Sequence, residues 1–467
     1  MRTLKLFLPL FLVVSAVVFL SGCGGPEGPP SYKLNLEIWG IFDDSDAYRR
    51  AFAGYRSLNR AHIGGIEYRK KTEESYRDDL ISAFAEGNGP DVFLIRNAWL
   101  PDFQNLIEPS PESIVSEKDF RDAFADVAIS DLVIDGRVYG VPLTIDSLAL
   151  YYNKDIFNAA GIASPPETWE EFLEDVRLLN EIDFYGNINQ SAVAMGTAKN
   201  INRSTDVLLA LALQQGLDIK PEHKNGFSDS FSVSDTAMRQ AMEFYTQFAR
   251  ASSPYYSWNP TQHYSIDTFY EGKLAMMVNY SWHINTIRRK NAKLDFGVAP
   301  LPQFSGQAPS NMANYWVFVV AKNKDPKVLP GREPDFPVDR YNELRIAESW
   351  QMLDYLALPH PGNTMTLRNF LNPEFSVSVP LEYDPTKKYL EQSGQPAARR
   401  DILEEQKGDA WLSAFAYGNL ISRSWRTPSV DAAEGALADA IEAVVRGDMT
   451  VNKALSSAGS QIRALKN

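Results

Sequence analysis

The side chains with which this sequence could do chemistry are 59 carboxylates, five histidines, one cysteine, nine tryptophans and 21 tyrosines. Helical metal sites need histidines three or four residues apart, and His62, His223, His263, His283 and His360 include no such pair. No metal and no cofactor is therefore expected. The phosphate-cradling G-x-x-x-x-G-K-[ST] run, a G-x-G-x-x-G after a strand and a G-x-S-x-G elbow are all absent, so no catalytic residue is nominated. The carboxylates are numerous enough to furnish a glycosidase pair by chance, which keeps an exported glycoside hydrolase as the enzymatic alternative. What aromatics and acids suit together is recognition of a sugar: apolar C–H faces pack on Trp or Tyr, and hydroxyls donate to carboxylates.

Elements must place those residues. Leu34, Leu36 and Ile38 alternate with polar neighbours, the period of a half-buried strand. A helix is expected over 46–60, a strand over 66–70, a helix over 74–86 and an apolar strand over 91–95. Strands alternating with helices argue for an α/β layer with a largely parallel sheet. Ligands bind beyond the carboxyl ends of such strands, so residues 39–44 and 96–99 are the informative loops.

Residues 136–171 read as strand, hinge, strand, turn and helix, and as a crossing between two lobes. Pro142 interrupts the first extended run, and Asp146 lies between it and a second at 148–152. Thr168 with Glu171 forms a capping box. Helices are expected over 169–180, 206–215 and 235–250. A strand at 273–279 leads to Ser281, which can cap a helix carrying Trp282 in its first turn. The apolar run 315–321 suits a buried strand returning to the first lobe. A helix over 341–356 precedes the breaker-rich PHPGN at 359–363, read as a third crossing. Helices at 431–446 and 451–465 close the chain.

At 467 residues the chain exceeds one compact core, and its net charge of −13 argues against a nucleic-acid partner. Arg2 and Lys5 precede an apolar run to Leu20, which reads as a secretory leader. Leu20-Ser21-Gly22-Cys23 follows and is similar to a bacterial lipobox. Residues 1–22 are thus expected to be a signal peptide, Cys23 lipidated, and 23–33 a Gly/Pro-rich tether. That makes the chain anchored to a bacterial membrane from outside the cytoplasm, in periplasm or at the cell surface. A single cysteine allows no intrachain disulfide.

The words DGRVYGVPL, ALYYNKDIFNAAGI and PPETWEEFL, with GPDVFLIRNAWLPDF (89–103), DTFYEGKLAMMVNYSW (267–282) and DFGVAPLPQF (295–304), occur in a distinctive order. In that order the chain resembles family 1 of the ABC-transporter extracellular solute-binding proteins, the maltose-binding-protein type. The resemblance implies a type II two-lobed α/β periplasmic-binding-protein fold with the ligand cleft between lobes and several hinge crossings, at 143–148, 312–316 and 359–363. Lobe one would comprise 34–143 and 315–358, and lobe two 148–311 and 364–467. It implies a monomeric receptor, not an enzyme, that takes a carbohydrate to ABC permease subunits. A non-sugar polar solute, or a sensor in place of the permease, is the alternative.

The resemblance also nominates ligand contacts. Asp146 sits where the family places an acidic sugar contact, and Trp282 where a stacking tryptophan lies. Tyr315 and Trp316 stand at the second crossing, with Trp316 favoured to face the cleft. Trp39 and Asp43, with Asp44, follow the first strand, and Arg399 resembles a position reaching in from lobe two. Arg96 and Asn97 depart from the pattern, since relatives carry an acid there. That departure leaves room for a uronic acid or a phosphorylated polyol.

Overall fold

The alternation at Leu34, Leu36 and Ile38 turns those side chains into a core and makes Leu34–Gly40 the centre of a four-stranded sheet. In the computed structural model, which describes residues 32–42, 46–221, 227–233, 235–322 and 337–465, this strand runs parallel to Ile63–Lys70 and Val92–Arg96. Trp316–Val320 joins antiparallel to Val92–Arg96, as a returning strand must if it enters from the opposite lobe. Asp43, Asp44 and the leader, Cys23 and the tether to residue 31 lie outside the described residues. Helices Asp46–Leu58, Glu73–Ala85 and Val338–Ala357 cover this sheet.

In a second sheet Ala149–Asn153 lies between Leu274–Asn279 and Phe296–Pro300 and is antiparallel to both. Ile188–Val193 extends it, parallel to Leu274–Asn279. This mixed sheet was not visible as strands in the sequence beyond 148–152 and 273–279, because INQSAV and FGVAP are short and carry polar or breaker residues. Trp169–Leu179 is closed at its start by the anticipated capping box of Thr168 and Glu171.

Two separate cores follow, one from Tyr32 to Ile145 plus later returns, the other from Leu148 to Met312 plus the C-terminal helices. The division falls at Asp146–Ser147, which pairs antiparallel with Asn311–Asn314, and that strand takes Ser422–Arg423 alongside it in parallel. Three chain crossings are thereby hydrogen-bonded into one small hinge sheet. Helix Ser413–Ile421 lies against it through Gly418, where any Cβ would collide with the Ser147 hydroxyl.

The third crossing is therefore not at 359–363. Pro361–Asn363 is a tight turn, with Gly362 at φ 70°, that opens a hairpin of Thr364–Leu367 and Val377–Pro380. Met365, Leu367, Leu381, Tyr389, Ala398 and Leu403 all pack into the first core, so the stretch to about residue 403 belongs to lobe one. Breaker residues mark a turn but carry no information on which lobe follows it. The chain changes lobe along a seam from Leu412 to Glu434, where Phe415 and Trp425 join the second core while Ala416 and Val430 join the first.

Candidate functional site

Between the lobes, directly above the hinge sheet, lies a cavity of about 570 Å³. Its walls come from the loop and helix after the first strand (Phe42, Tyr48), the end of the third (Arg96), the crossings (Thr144, Asp146, Asn314 to Trp316) and lobe two (Asn202, Arg203, Trp282, His283). Seven aromatics line it, counting Phe318 and Tyr389. Tyr48 stacks on Tyr389 at 4.8 Å and meets Phe318 edge-on at 5.6 Å, forming a continuous aromatic wall on lobe one. Trp316 closes that wall, edge-on to Phe42 at 5.3 Å and to Trp99 at 5.4 Å.

Trp282 faces this wall from lobe two. Its indole stacks on buried Tyr280 at 4.7 Å and yet is 39% exposed, which leaves ring surface open to the cavity. Its Nε1 donates to His283 Nε2 at 2.8 Å, and the Asn202 amide is 2.9 Å from the same nitrogen. Burial pulls the His283 pKa down to about 4, so the ring is a neutral acceptor that fixes the indole edge.

Asp146 lines the cavity, but most of its acceptor capacity is taken up by the protein. One oxygen accepts from the Ser281 backbone N–H at 2.9 Å and hydroxyl at 2.6 Å, the other from the Ser147 N–H at 3.0 Å. It thus ties the hinge strand to the turn that aims Trp282. Burial pushes its pKa up to about 7 despite these donors.

Several nominated residues are in structural use. Arg96 pairs with Asp431 at 2.9 Å and Glu434 at 3.1 Å, and Arg203 pairs with Asp206 at 2.7 Å and reaches Glu434 at 3.5 Å. Asn97 and Tyr315 are buried and donate to the same Asp131 oxygen at 3.1 and 2.6 Å. Asp131 takes the Ser424 hydroxyl on its other oxygen at 2.6 Å. Arg426, with no exposed surface, forks onto Asp229 at 2.8 and 3.1 Å and donates to the Asp131 carbonyl at 2.6 Å. Burial, with Asp229 nearby, raises the Asp131 pKa against the pull of Arg426.

Two nominations are corrected outright. Trp39 is 6% exposed, its Nε1 engaged by Glu37 at 2.6 Å and its ring covered by Lys71 at 3.6 Å, and it is not on the cavity wall. The strand alternation puts its side chain with Glu37, on the sheet face opposite Leu36 and Ile38. Arg399 is buried in lobe one, not lobe two, clamped between Asp384 at 2.8 Å and Asp401 at 2.6 Å. Phe42, Tyr48, Asn202, Arg203, His283 and Tyr389 were missed. Phe42 fell inside the loop singled out after the first strand. Tyr389 was hidden by the misplaced third crossing, and the others carried no sequence signal.

A family model described as bacterial extracellular solute-binding protein matches residues 58–357. The maltotriose-binding protein of Pyrococcus abyssi is 30% identical over 232 residues, 47% of this chain and 43% of that one. The maltodextrin-binding protein MdxE of Bacillus subtilis is 27% identical over 225 residues, 46% and 48% of the two chains. The chain spans about half the length of the curated relatives it matches. Over 93% of this chain and 99% of the other, the fold superposes on the cyclic alpha-maltosyl-1,6-maltose binding protein from Arthrobacter globiformis, with a TM-score of 0.69 and 16% identity.

Proposed function

The chain belongs to the bacterial extracellular solute-binding protein family, and on that premise we propose that it captures a carbohydrate outside the cytoplasmic membrane and delivers it unaltered to an ABC importer. The observation that carries the reading is the cavity between lobes, whose aromatic wall on lobe one faces the open indole of Trp282 on lobe two. Such opposed aromatic surfaces suit the two apolar faces of a pyranose, and Thr144, Asn314 and Gln395 supply neutral partners for its hydroxyls. Relatives named for maltotriose and maltodextrin binding point the same way. A ligand touching both walls stabilises the approach of the lobes by its differential affinity for the closed state, and closure is the state a permease reads. Lipid on Cys23 keeps the receptor at the membrane, and Cys23→Ala releases it from the membrane fraction.

The test is a thermal-shift screen of the mature protein against neutral sugars, uronates, polyol phosphates and amino acids, followed by product analysis of each hit. Stabilisation by a sugar recovered chemically intact supports the receptor reading, since ligand bound to the native state raises its stability by mass action. A shift given by amino acids alone makes the solute something else. Recovery of a cleaved sugar makes the protein a hydrolase.

A further inference from the structure

The cavity does not end at Trp282. A second compartment of about 590 Å³ continues past it, walled by Trp282, Asn285, Arg288 and Arg289 of lobe two and by Ser393 and Gln395 of lobe one. Trp282 and Gln395 line both compartments, so one elongated ligand could occupy the two together. The lobes come close here: a Cβ on Gly394, whose φ of 64° excludes most side chains, would stand 3.9 Å from the Asn285 amide.

The two compartments differ in charge. Both arginines of the inner one are neutralised, Arg96 by Asp431 and Glu434, and Arg203 by Asp206 and Glu434. In the outer one Arg288 and Arg289 are exposed, and among the described residues neither has a carboxylate within ion-pair distance. Arg288 is held in place by stacking 4.7 Å over the Trp411 ring, an arrangement that leaves the guanidinium edge free to donate. Both lie in the last turn of His283–Lys290, where the helix dipole favours cations. On the facing wall the Ser393 hydroxyl, closed off from solvent, has no hydrogen-bond partner among the described residues. Two guanidiniums with no acid fit an oxyanion that takes charge-assisted bonds from both, and the Ser393 hydroxyl joins them only once its wall shifts as the lobes close.

We propose that this outer compartment is a subsite for an anionic group carried by the bound glycan, a carboxylate or a sulfate or phosphate ester. The inference rests on the carbohydrate reading and extends it: the inner compartment holds an uncharged ring against Trp282, and the outer one reads the charge of the next. Charge recognition in this receptor thus belongs to Arg288 and Arg289, and not to Arg96.

The experiment is calorimetric titration of wild type, Arg288→Gln/Arg289→Gln and Ser393→Ala with maltotriose, cellotriose and galactotriose, their uronic-acid counterparts, and sulfated and phosphorylated galactotriose. The expected result is that one anionic member binds roughly tenfold or more tighter than its neutral counterpart, the effect of one charge-assisted contact, and that this margin shrinks on adding salt. The double variant loses the margin while the neutral counterpart keeps its affinity. Ser393→Ala narrows the margin several-fold without altering the melting temperature. Comparing acids with esters tells which oxyanion is read. Binding of neutral members only, or equal weakening of neutral and anionic members in the double variant, overturns the inference and leaves the receptor reading standing. No binding by any glycan overturns both.

Discussion

The seam below the cleft and the rim above it are built on opposite rules. At the seam, Asp131, Asp229 and Arg426 are buried, and their donors and acceptors are matched by one another and by Asn97, Tyr315 and Ser424. At the rim, Trp282 keeps open ring surface, and among the described residues Arg288 and Arg289 have no acid and the Ser393 hydroxyl has no partner. The difference teaches where recognition resides. Charged groups near a hinge must be satisfied by the protein, because leaving a charge unpaired in low dielectric costs stability on every opening and closing. Contacts for a ligand come from what the fold leaves over, here aromatic faces and rim donors.

The largest effect should come from breaking the seam. Arg426→Ala leaves Asp131 and Asp229 buried with no cation between them, a change worth about 3 to 5 kcal/mol of stability. Chemical denaturation measures it. A loss below about 1 kcal/mol would mean the cluster is not what fixes the hinge.

Trp282→Ala attacks the rim instead. Because the ring is 39% exposed, the fold should tolerate the truncation, while sugar affinity falls by roughly 1 to 3 kcal/mol, as for large aromatic anchors at binding sites. Unchanged affinity in the folded variant would reduce Trp282 to a cover for Tyr280. Together the two variants separate a stability phenotype from a binding phenotype.

This contrast also explains what was legible in the sequence. The hydrophobic period around Leu34 to Ile38, the capping box at Thr168 and the apolar run at 315–321 follow from local rules, and the first two form as read while the third gives the strand Trp316–Val320. Trp282, nominated from the resemblance, and Trp316, from the second crossing, both line the cavity between the lobes. Asn97, Tyr315, Arg96 and Arg399 were nominated from the resemblance and from their places after a strand or at a crossing, and such a place cannot tell a ligand contact from a satisfied internal partner. The partners of Asn97, Tyr315 and Arg96, namely Asp131, Asp431 and Glu434, are distant in sequence. Tyr389 was lost because a turn at Pro361 and a lobe crossing are written in the same residues.

A milder way to sharpen the comparison uses pH. Burial raises Glu348 from 4.5, and Asp354 and Asp146 from 3.8, to about 7 in the folded protein. Between their unfolded values and about pH 7 the folded state therefore holds protons that the unfolded state has released. Stability falls as pH rises through that window, the reverse of an acid held low by a salt bridge. Ligand-free protein should thus be more stable at pH 5 than at pH 8. Glu348→Gln, which keeps one of the two acceptor oxygens that Tyr32 and Tyr55 use, should remove on the order of 1 to 2 kcal/mol of that difference. A melting temperature that climbs steadily from pH 5 to pH 8 would contradict the burial argument.

The smallest expected effect is the most informative about charge. Arg96 stands in the inner compartment, and its position after the third strand suggested a contact for an acidic sugar. Its two terminal nitrogens are on Asp431 and Glu434, and its side chain is only 12% exposed, so a ligand oxyanion would have to displace a carboxylate to reach it. Arg96→Gln should therefore leave the ratio of affinities for an anionic glycan and its neutral counterpart unchanged. The partly exposed pair with Asp431 contributes at most about 1 kcal/mol to stability, so the melting temperature should drop slightly. Freed from Arg96, Glu434 still has Arg203 at 3.5 Å, which limits any new negative field in the cleft. If the ratio instead collapses in Arg96→Gln and survives in Arg288→Gln/Arg289→Gln, anion recognition lies at the seam side of the cleft. The division between a satisfied floor and an unsatisfied rim would then fail at the one residue where the two regions meet.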